Sequence, residues 1–273
     1  MHYFEEKAHG IYAACVIGIL LCILSIFLLQ RQYVLNLIVE NIGFKREKYF
    51  GDLIFDLYKK ELKIIDNKKS NAELKNLVDL LRKNNDFEDL NLQFYIIDDD
   101  SINAAAMMGG HIIVNKGLIL KSDNSDQLLA VMAHEIAHVK NRDVLKSIFS
   151  QIGVLGFFTL FLGDVSSIID DLMMASSQLV NLKFSRDVEF AADREAVNIL
   201  ANAGVSCDAL LDFFTSNDLG EEVMISRAEF LLTHPVSKNR ANKIKQQIAR
   251  NNSCEEVTKA KSGDLLLLQS LLN

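Results

Sequence analysis

The sequence predicts an α+β fold, mainly helical, in which a small antiparallel sheet lies beside one buried helix and a transmembrane helix precedes the rest. Three observations carry this. Residues 11–29 are uncharged and almost wholly apolar. Phe50, Leu53, Ile54 and Leu57, then Leu74, Leu77, Val78 and Leu81, recur at helical spacing, and residues 128–139 are apolar on most sides. Between these helical stretches lie two short runs rich in β-branched and aromatic residues, 91–97 and 111–115, bounded by aspartates and glycines.

The elements follow in order. Residues 1–10 form a short tail. Residues 11–29 would span about 28 Å as a helix, close to the hydrocarbon thickness of a bilayer. A cleaved signal peptide would want a basic start, a shorter apolar core and a small-x-small site, none of which is evident, so a retained single-pass anchor is expected. Arg31, Lys45, Arg46 and Lys48 after the segment outnumber Lys7 before it, which favours a cytoplasmic domain by the positive-inside rule. Residues 30–89 read as a helical connector, with loops at 67–71 and 84–86. Residues 90–250 form the main domain and 251–273 a leucine-rich helical tail. Asp98, Asp99 and Asp100 end the first strand; without EF-hand spacing they read as a solvated turn. Asn124 with Gln127 three residues later reads as the capping pair of the central helix.

Composition bounds the function. A chain of 273 residues with 49% apolar residues can bury a sizeable core. A net charge of −7 argues against nucleic acid as a partner. Cys15 and Cys22 lie in the apolar segment, and Cys207 and Cys254 are isolated, so cysteine usage reveals neither a metal site nor a compartment.

His134-Glu135-Ile136-Ala137-His138 carries chemistry. Histidines four apart on a helix share a face and can hold one zinc ion, and the intervening glutamate can reach a water on that ion. This is the H-E-x-x-H arrangement of zinc peptidases. An exposed helix with two solvated histidines is the alternative, but Leu128, Leu129, Val131, Met132, Ile136 and Val139 make the helix apolar nearly all round. A di-iron bundle would need a second Glu-x-x-His, and Glu6-x-x-His9 lies ahead of the apolar run, badly placed to share a core. A catalytic zinc wants a third protein ligand. Glu189 supplies it, and Asp193, one turn on along the same helix face, would orient a ligand histidine from behind.

With the motif Ser185-Arg186-x-x-Glu189-x-x-Ala192-Asp193 about fifty residues after His134, the chain resembles peptidase family M48. Asn103-Ala104, Gly109-Gly110-His111-Ile112-Ile113-Val114 and Gly117-Leu118-Ile119 match its block ahead of the zinc helix, and His234-Pro235 with Arg240 matches a later element. The resemblance covers roughly residues 75–250. It implies a gluzincin-type domain with one Zn(2+) per chain on His134, His138 and Glu189. Glu135 would be general base and acid. His234 would face the site across the cleft and stabilise the oxyanion; the proline after it restrains its backbone away from the helical region. Asp193, Arg240 and Asn103 would support these residues, Arg240 by tying the His-Pro segment to the core.

Extended substrate pairs with an edge strand in such peptidases, and His111, Ile112, Ile113 and Val114 are the candidate strand, the alternative being a paired inner strand. Residues 147–163 are also uncharged, yet lie between His138 and Glu189, so an odd number of crossings there would split the site across the membrane. Asp170 and Asp171 make a return crossing costly, so a core or interfacial helix is expected, with residues 173–177 as a candidate flap. The expected function is a zinc metalloendopeptidase anchored in a bacterial inner membrane and acting on protein or peptide substrates in membrane or envelope quality control. Its bilayer contact would be the N-terminal helix. The rival is a non-catalytic assembly or chaperone factor that keeps zinc for structure.

Overall fold

The computed structural model describes residues 16–19, 25, 37–150, 184–215, 230, 233–234, 238–254 and 263–273. The chain divides into two units, Met1–Ile42 and Gly43–Asn273. In the first, Val16, Ile17 and Ile19 are helical and exposed. Most of the expected anchor, 11–29, lies outside the described residues, as do 151–183, which hold the expected flap and most of the second apolar stretch. No helix among the described residues is long and apolar enough to cross a membrane.

The second unit is mainly helical with one three-stranded sheet. Helix α1, Phe44–Tyr58, buries Phe50, Gly51, Ile54 and Phe55 along one face. A Cβ on Gly51 would lie 2.3 Å from the Met108 carbonyl oxygen, so only glycine lets the helix lie against that turn. Helix α2, Lys68–Asp79, starts within the stretch expected as a loop. The Asn67 side chain accepts from the Lys69 and Ser70 amides at 3.0 and 3.3 Å, so a polar run that reads as loop is a helix N-cap. Leu74, Leu77 and Val78 are its buried face.

The strands are β1, Gln93–Ile97, β2, Ala104–Ala106, and β3, His111–Asn115. The order is β1-β3-β2, with β1 parallel to β3 and β2 antiparallel to it. The sheet is therefore mixed and not purely antiparallel. The expectation missed β2, because three alanines carry no strand signature. Once β2 turns back into β3 through Gly109 and Gly110, both at positive φ, β3 must run in the direction of β1. Ile113 of β3 packs with Phe55 of α1, Ile97, Ala105 and Met107.

Two long helices pack against each other, and the first of them also packs against β2. Helix α3, Lys116–Lys121, leads into α4, Ser125–Lys140, which is buried from Ser125 to Val139. Asn124 Oδ1 accepts from the Gln127 amide at 2.9 Å, and Gln127 Oε1 reaches back to the Asp123 amide at 3.1 Å. Helix α5, Arg186–Ala203, is capped by Ser185 and stopped by Gly204 in the left-handed region. It packs against α4, and Ala192, Ala196 and Val197 are among its fully buried residues. Helices α6, Ala209–Thr215, and α7, Lys238–Arg250, complete this layer. Helix α8, Gly263–Leu272, is held by Gln269, whose Nε2 donates to the Ile119 and Ser122 carbonyls at 2.9 and 3.1 Å. Cys207 and Cys254 form a disulfide, with Cα atoms 5.8 Å apart. Nothing in their spacing announced it.

Candidate metal centre

His134 and His138 stand one turn apart on α4, and Glu189 projects toward them from the first turn of α5. Together with His234 they form a buried group whose candidate ligand atoms all lie within 4.8 Å of one another. The His134 and His138 Nε2 atoms are 3.1 Å apart. Glu189 Oε2 lies 3.4 Å from His134 Nε2, and Glu189 Oε1 lies 3.7 Å from His138 Nε2. His234 Nδ1 is 3.0 Å from Glu189 Oε1 and 3.3 Å from His134 Nε2.

The outer nitrogens are held from behind. Asp193 Oδ1 is 3.1 Å from His134 Nδ1, and Asp143 Oδ2 is 2.9 Å from His138 Nδ1. Carboxylates on both Nδ1 atoms favour protons there, which leaves both Nε2 lone pairs facing one another across 3.1 Å. Two lone pairs and a buried carboxylate converging on one point repel unless a cation lies between them. The donor set therefore fits a divalent ion with imidazole and carboxylate ligands. Without a cation, the carboxylates draw a proton onto one imidazole in its place. Burial opposes charge on His134, yet Asp193 and Glu189 outweigh it and push this group up to about 9. Burial pushes His138 down to about 4 and lowers His234 as well. Glu189 stays well below the usual carboxylate range despite its burial, because His134 and His234 stabilise its charge.

Glu135 lies beside this group. The Ala106 amide of β2 donates to its Oε2 at 2.7 Å. Its Oε1 is buried, accepts no hydrogen bond among the described residues and lies 3.4 Å from His234 Nε2. Burial pushes the carboxyl up to about 7. Arg240, only 1% exposed, knits the second layer. It donates to both Asp193 oxygens at 2.6 and 2.7 Å and to the His234 carbonyl at 3.0 Å, and lies 2.9 Å from Glu189 Oε2. Aromatic rings wall the group: Phe184 stacks on His138 at 4.3 Å and Phe230 on His234 at 4.7 Å.

The structure thus gathers His134, Glu135, His138, Glu189, Asp193, His234 and Arg240. His234 sits inside the ligand group itself, and Pro235 lies outside the described residues. Asn103 is not among the residues it gathers. Its side chain accepts from the Ala104 amide at 3.0 Å and its carbonyl from the Asn115 amide, which shapes the entry to β2. The expectation that His111, Ile112, Ile113 and Val114 offer a free edge is overturned. They form the central strand, paired on both sides and buried throughout. His111 faces α1 instead, stacked on Phe55 with Nε2 3.0 Å from Asp52. Two participants were missed in the sequence. The Ala106 amide gave no side-chain signal. Asp143 lies five residues after His138, a spacing that does not share a face on a continuous helix.

The profile of peptidase family M48 matches residues 68–248. The chain is 30% identical over 169 residues to the beta-barrel assembly-enhancing protease of Yersinia pestis, covering 56% of this chain and 35% of that protein. It is 37% identical over 145 residues to a protease HtpX homolog of Salinibacter ruber, covering 48% and 51%. It is 29% identical over 160 residues to the mitochondrial metalloendopeptidase OMA1 of Schizosaccharomyces pombe, covering 58% and 47%. The chain thus spans between about a third and a half of the length of these relatives. With a profile that covers most of the second unit and every residue of the buried group, the chain belongs to peptidase family M48.

Proposed function

We propose that this chain is a zinc-dependent metalloendopeptidase, attached to a membrane by residues 11–29. One observation carries the reading: beside a buried His-His-Glu group stands a glutamate with one oxygen fixed by a backbone amide and the other accepting no hydrogen bond among the described residues. His134, His138 and Glu189 would hold the zinc, which when bound polarises a carbonyl and acidifies water. Glu135 does the proton work. Its fixed Oε2 orients the carboxyl, and its Oε1 takes a proton from the attacking water and returns it to the leaving amine. A carboxyl near 7 suits both halves of that exchange. His234 Nε2, beside Glu135, stabilises the oxyanion.

Extended substrate would pair with β2, which among the described residues has β3 as its one strand neighbour. Ala106 lies on that strand, so the scissile bond and Glu135 would be brought together by the same pairing. Relatives named for beta-barrel assembly support membrane or envelope quality control as the setting. Replacing Glu189 by Ala should cut bound zinc well below one per chain; unchanged stoichiometry by elemental analysis would assign the third ligand elsewhere.

The Cys207–Cys254 disulfide supports an oxidising compartment for the domain, the side opposite to that favoured by the Lys/Arg balance. In cells producing a chain with Cys15 and Cys22 changed to Ser, maleimide should modify neither remaining cysteine before reduction. Full modification without reductant would return the domain to the cytoplasmic side.

The second reading, a non-catalytic factor with structural zinc, is favoured by the fourth donor. His134, His138, Glu189 and His234 equal in number, though not in donor type, the closed four-ligand set of structural sites. Such a site has no use for Glu135, and the behaviour of the Glu135 variant separates the two.

A further inference from the structure

The turn after the metal-bearing helix is held in an unusual conformation from outside the site. Helix α4 ends at Lys140, Asn141 is still right-handed, and Arg142 has φ 58°. Helix resumes at Asp143. L side chains rarely adopt this left-handed region unless their surroundings impose it. The reversal is what makes Asp143 useful. On a continuous helix, residues 138 and 143 would point in different directions; across this turn Asp143 Oδ2 comes within 2.9 Å of His138 Nδ1. Both side chains are buried, so the contact is shielded from water.

What imposes the turn is visible. Arg142 Nε donates to Glu47 Oε2 at 2.5 Å, with side chains 10% and 7% exposed. The guanidinium also lies over the Phe44 ring, 4.7 Å from its centroid. Phe44 and Glu47 belong to the first turn of α1, an element that supplies nothing else to the metal group. Burial raises the Glu47 carboxyl and Arg142 opposes that shift, so the Glu47 charge depends on Arg142.

We propose that Glu47 and Arg142 are positioning residues for the metal site: their buried pair locks the left-handed turn that presents Asp143 to His138. The chain of cause runs from α1 through Arg142 and the backbone at 142–143 to the tautomer and angle of one ligand imidazole. Outer partners of this kind tune metal affinity by about 10- to 100-fold. This rests on the metal reading given above, and the two fail differently. A wild-type chain that binds no zinc refutes the metal reading; wild-type binding with unaltered variants refutes the positioning.

The test measures zinc affinity of the purified full chain by chelator competition, with thermal melting alongside. Glu47→Gln and Asp143→Asn should each weaken zinc by about 10-fold or more. Their double variant should be little worse than either single one, because both cut the same line. Arg142→Ala should lose about as much. Arg142→Gly should keep affinity within about 3-fold of wild type, since glycine adopts the left-handed region without a lock. Glu47→Gln/Arg142→Gly should likewise recover the affinity lost in Glu47→Gln. Recovery by glycine is the signature of a backbone role, for a side chain that merely packs would be missed equally in Ala and Gly. Equal losses in Arg142→Ala and Arg142→Gly, or wild-type affinity in a folded Glu47→Gln, would overturn the proposal. Should Glu47→Gln fail to fold, the Ala and Gly pair at 142 decides it alone.

Discussion

Replacing Glu135 by Gln is expected to lower peptide hydrolysis by about 10²- to 10⁴-fold, the range supplied by a positioned acid–base group, and to leave zinc bound. The substitution is nearly isosteric. The amide oxygen of the new side chain can still accept from the Ala106 amide, which now donates to Oε2 at 2.7 Å, so the side chain should stay where it is. What it loses is the ability to take a proton at the position of Oε1. That oxygen contributes no hydrogen bond to the fold among the described residues, so its loss should cost little stability. The variant therefore separates chemistry from architecture. Cleavage of an unfolded protein substrate and zinc content are measured on the same preparation. A variant that cleaves like wild type would show that Glu135 is not the proton carrier. A wild-type chain that holds zinc and never cleaves would favour the structural-zinc reading.

Replacing Arg240 by Met should lower folding stability by about 3–5 kcal/mol, the cost of removing one partner from a buried charged pair. Methionine roughly fills the space, so the change isolates the charge. Arg240 neutralises two carboxylates at once: Asp193 through two hydrogen bonds, and Glu189 at 2.9 Å. Burial alone would raise Asp193; Arg240 and His134 hold it below its ordinary value. Without Arg240 two buried negative charges, one turn apart on the same face of α5, are left with fewer cations to share. Asp193 is also released from the orientation that brings Oδ1 to His134. Urea denaturation with zinc present reads the loss; a midpoint within error of wild type would mean that Arg240 is not the keystone of this layer.

How much of this was legible in the chain depended on the range of the signal. His134 and His138, and again Glu189 and Asp193, are pairs four apart, and a helix converts that spacing directly into a shared face. The Asn124 cap is local too, and appears as expected. The alanine strand β2 was invisible because its residues prefer helix, and its place is decided by pairing with β3 and by the turn at Gly109 and Gly110. Missing it reversed the reading of the sheet: the apolar run at 111–115 looked like an accessible edge because nothing in it reports how many neighbours it has. Asn67 read as loop for a related reason, since the residues that favour loops are also those that cap helices.

By itself the sequence determined the candidate metal ligands: which imidazoles and which carboxylates lie one helical turn apart, and that the helix bearing the imidazoles is apolar nearly all round. These are properties of intervals of four residues. The tertiary structure alone decided which edge of the sheet meets Glu135, that Asp143 rather than some nearer residue backs His138, that His234 enters the ligand group, and that Cys207 and Cys254 are bonded. Each of these brings together groups whose meeting depends on how a turn reverses or how two helices cross. Such geometry is fixed by packing over the whole domain, and no short interval of the chain encodes it.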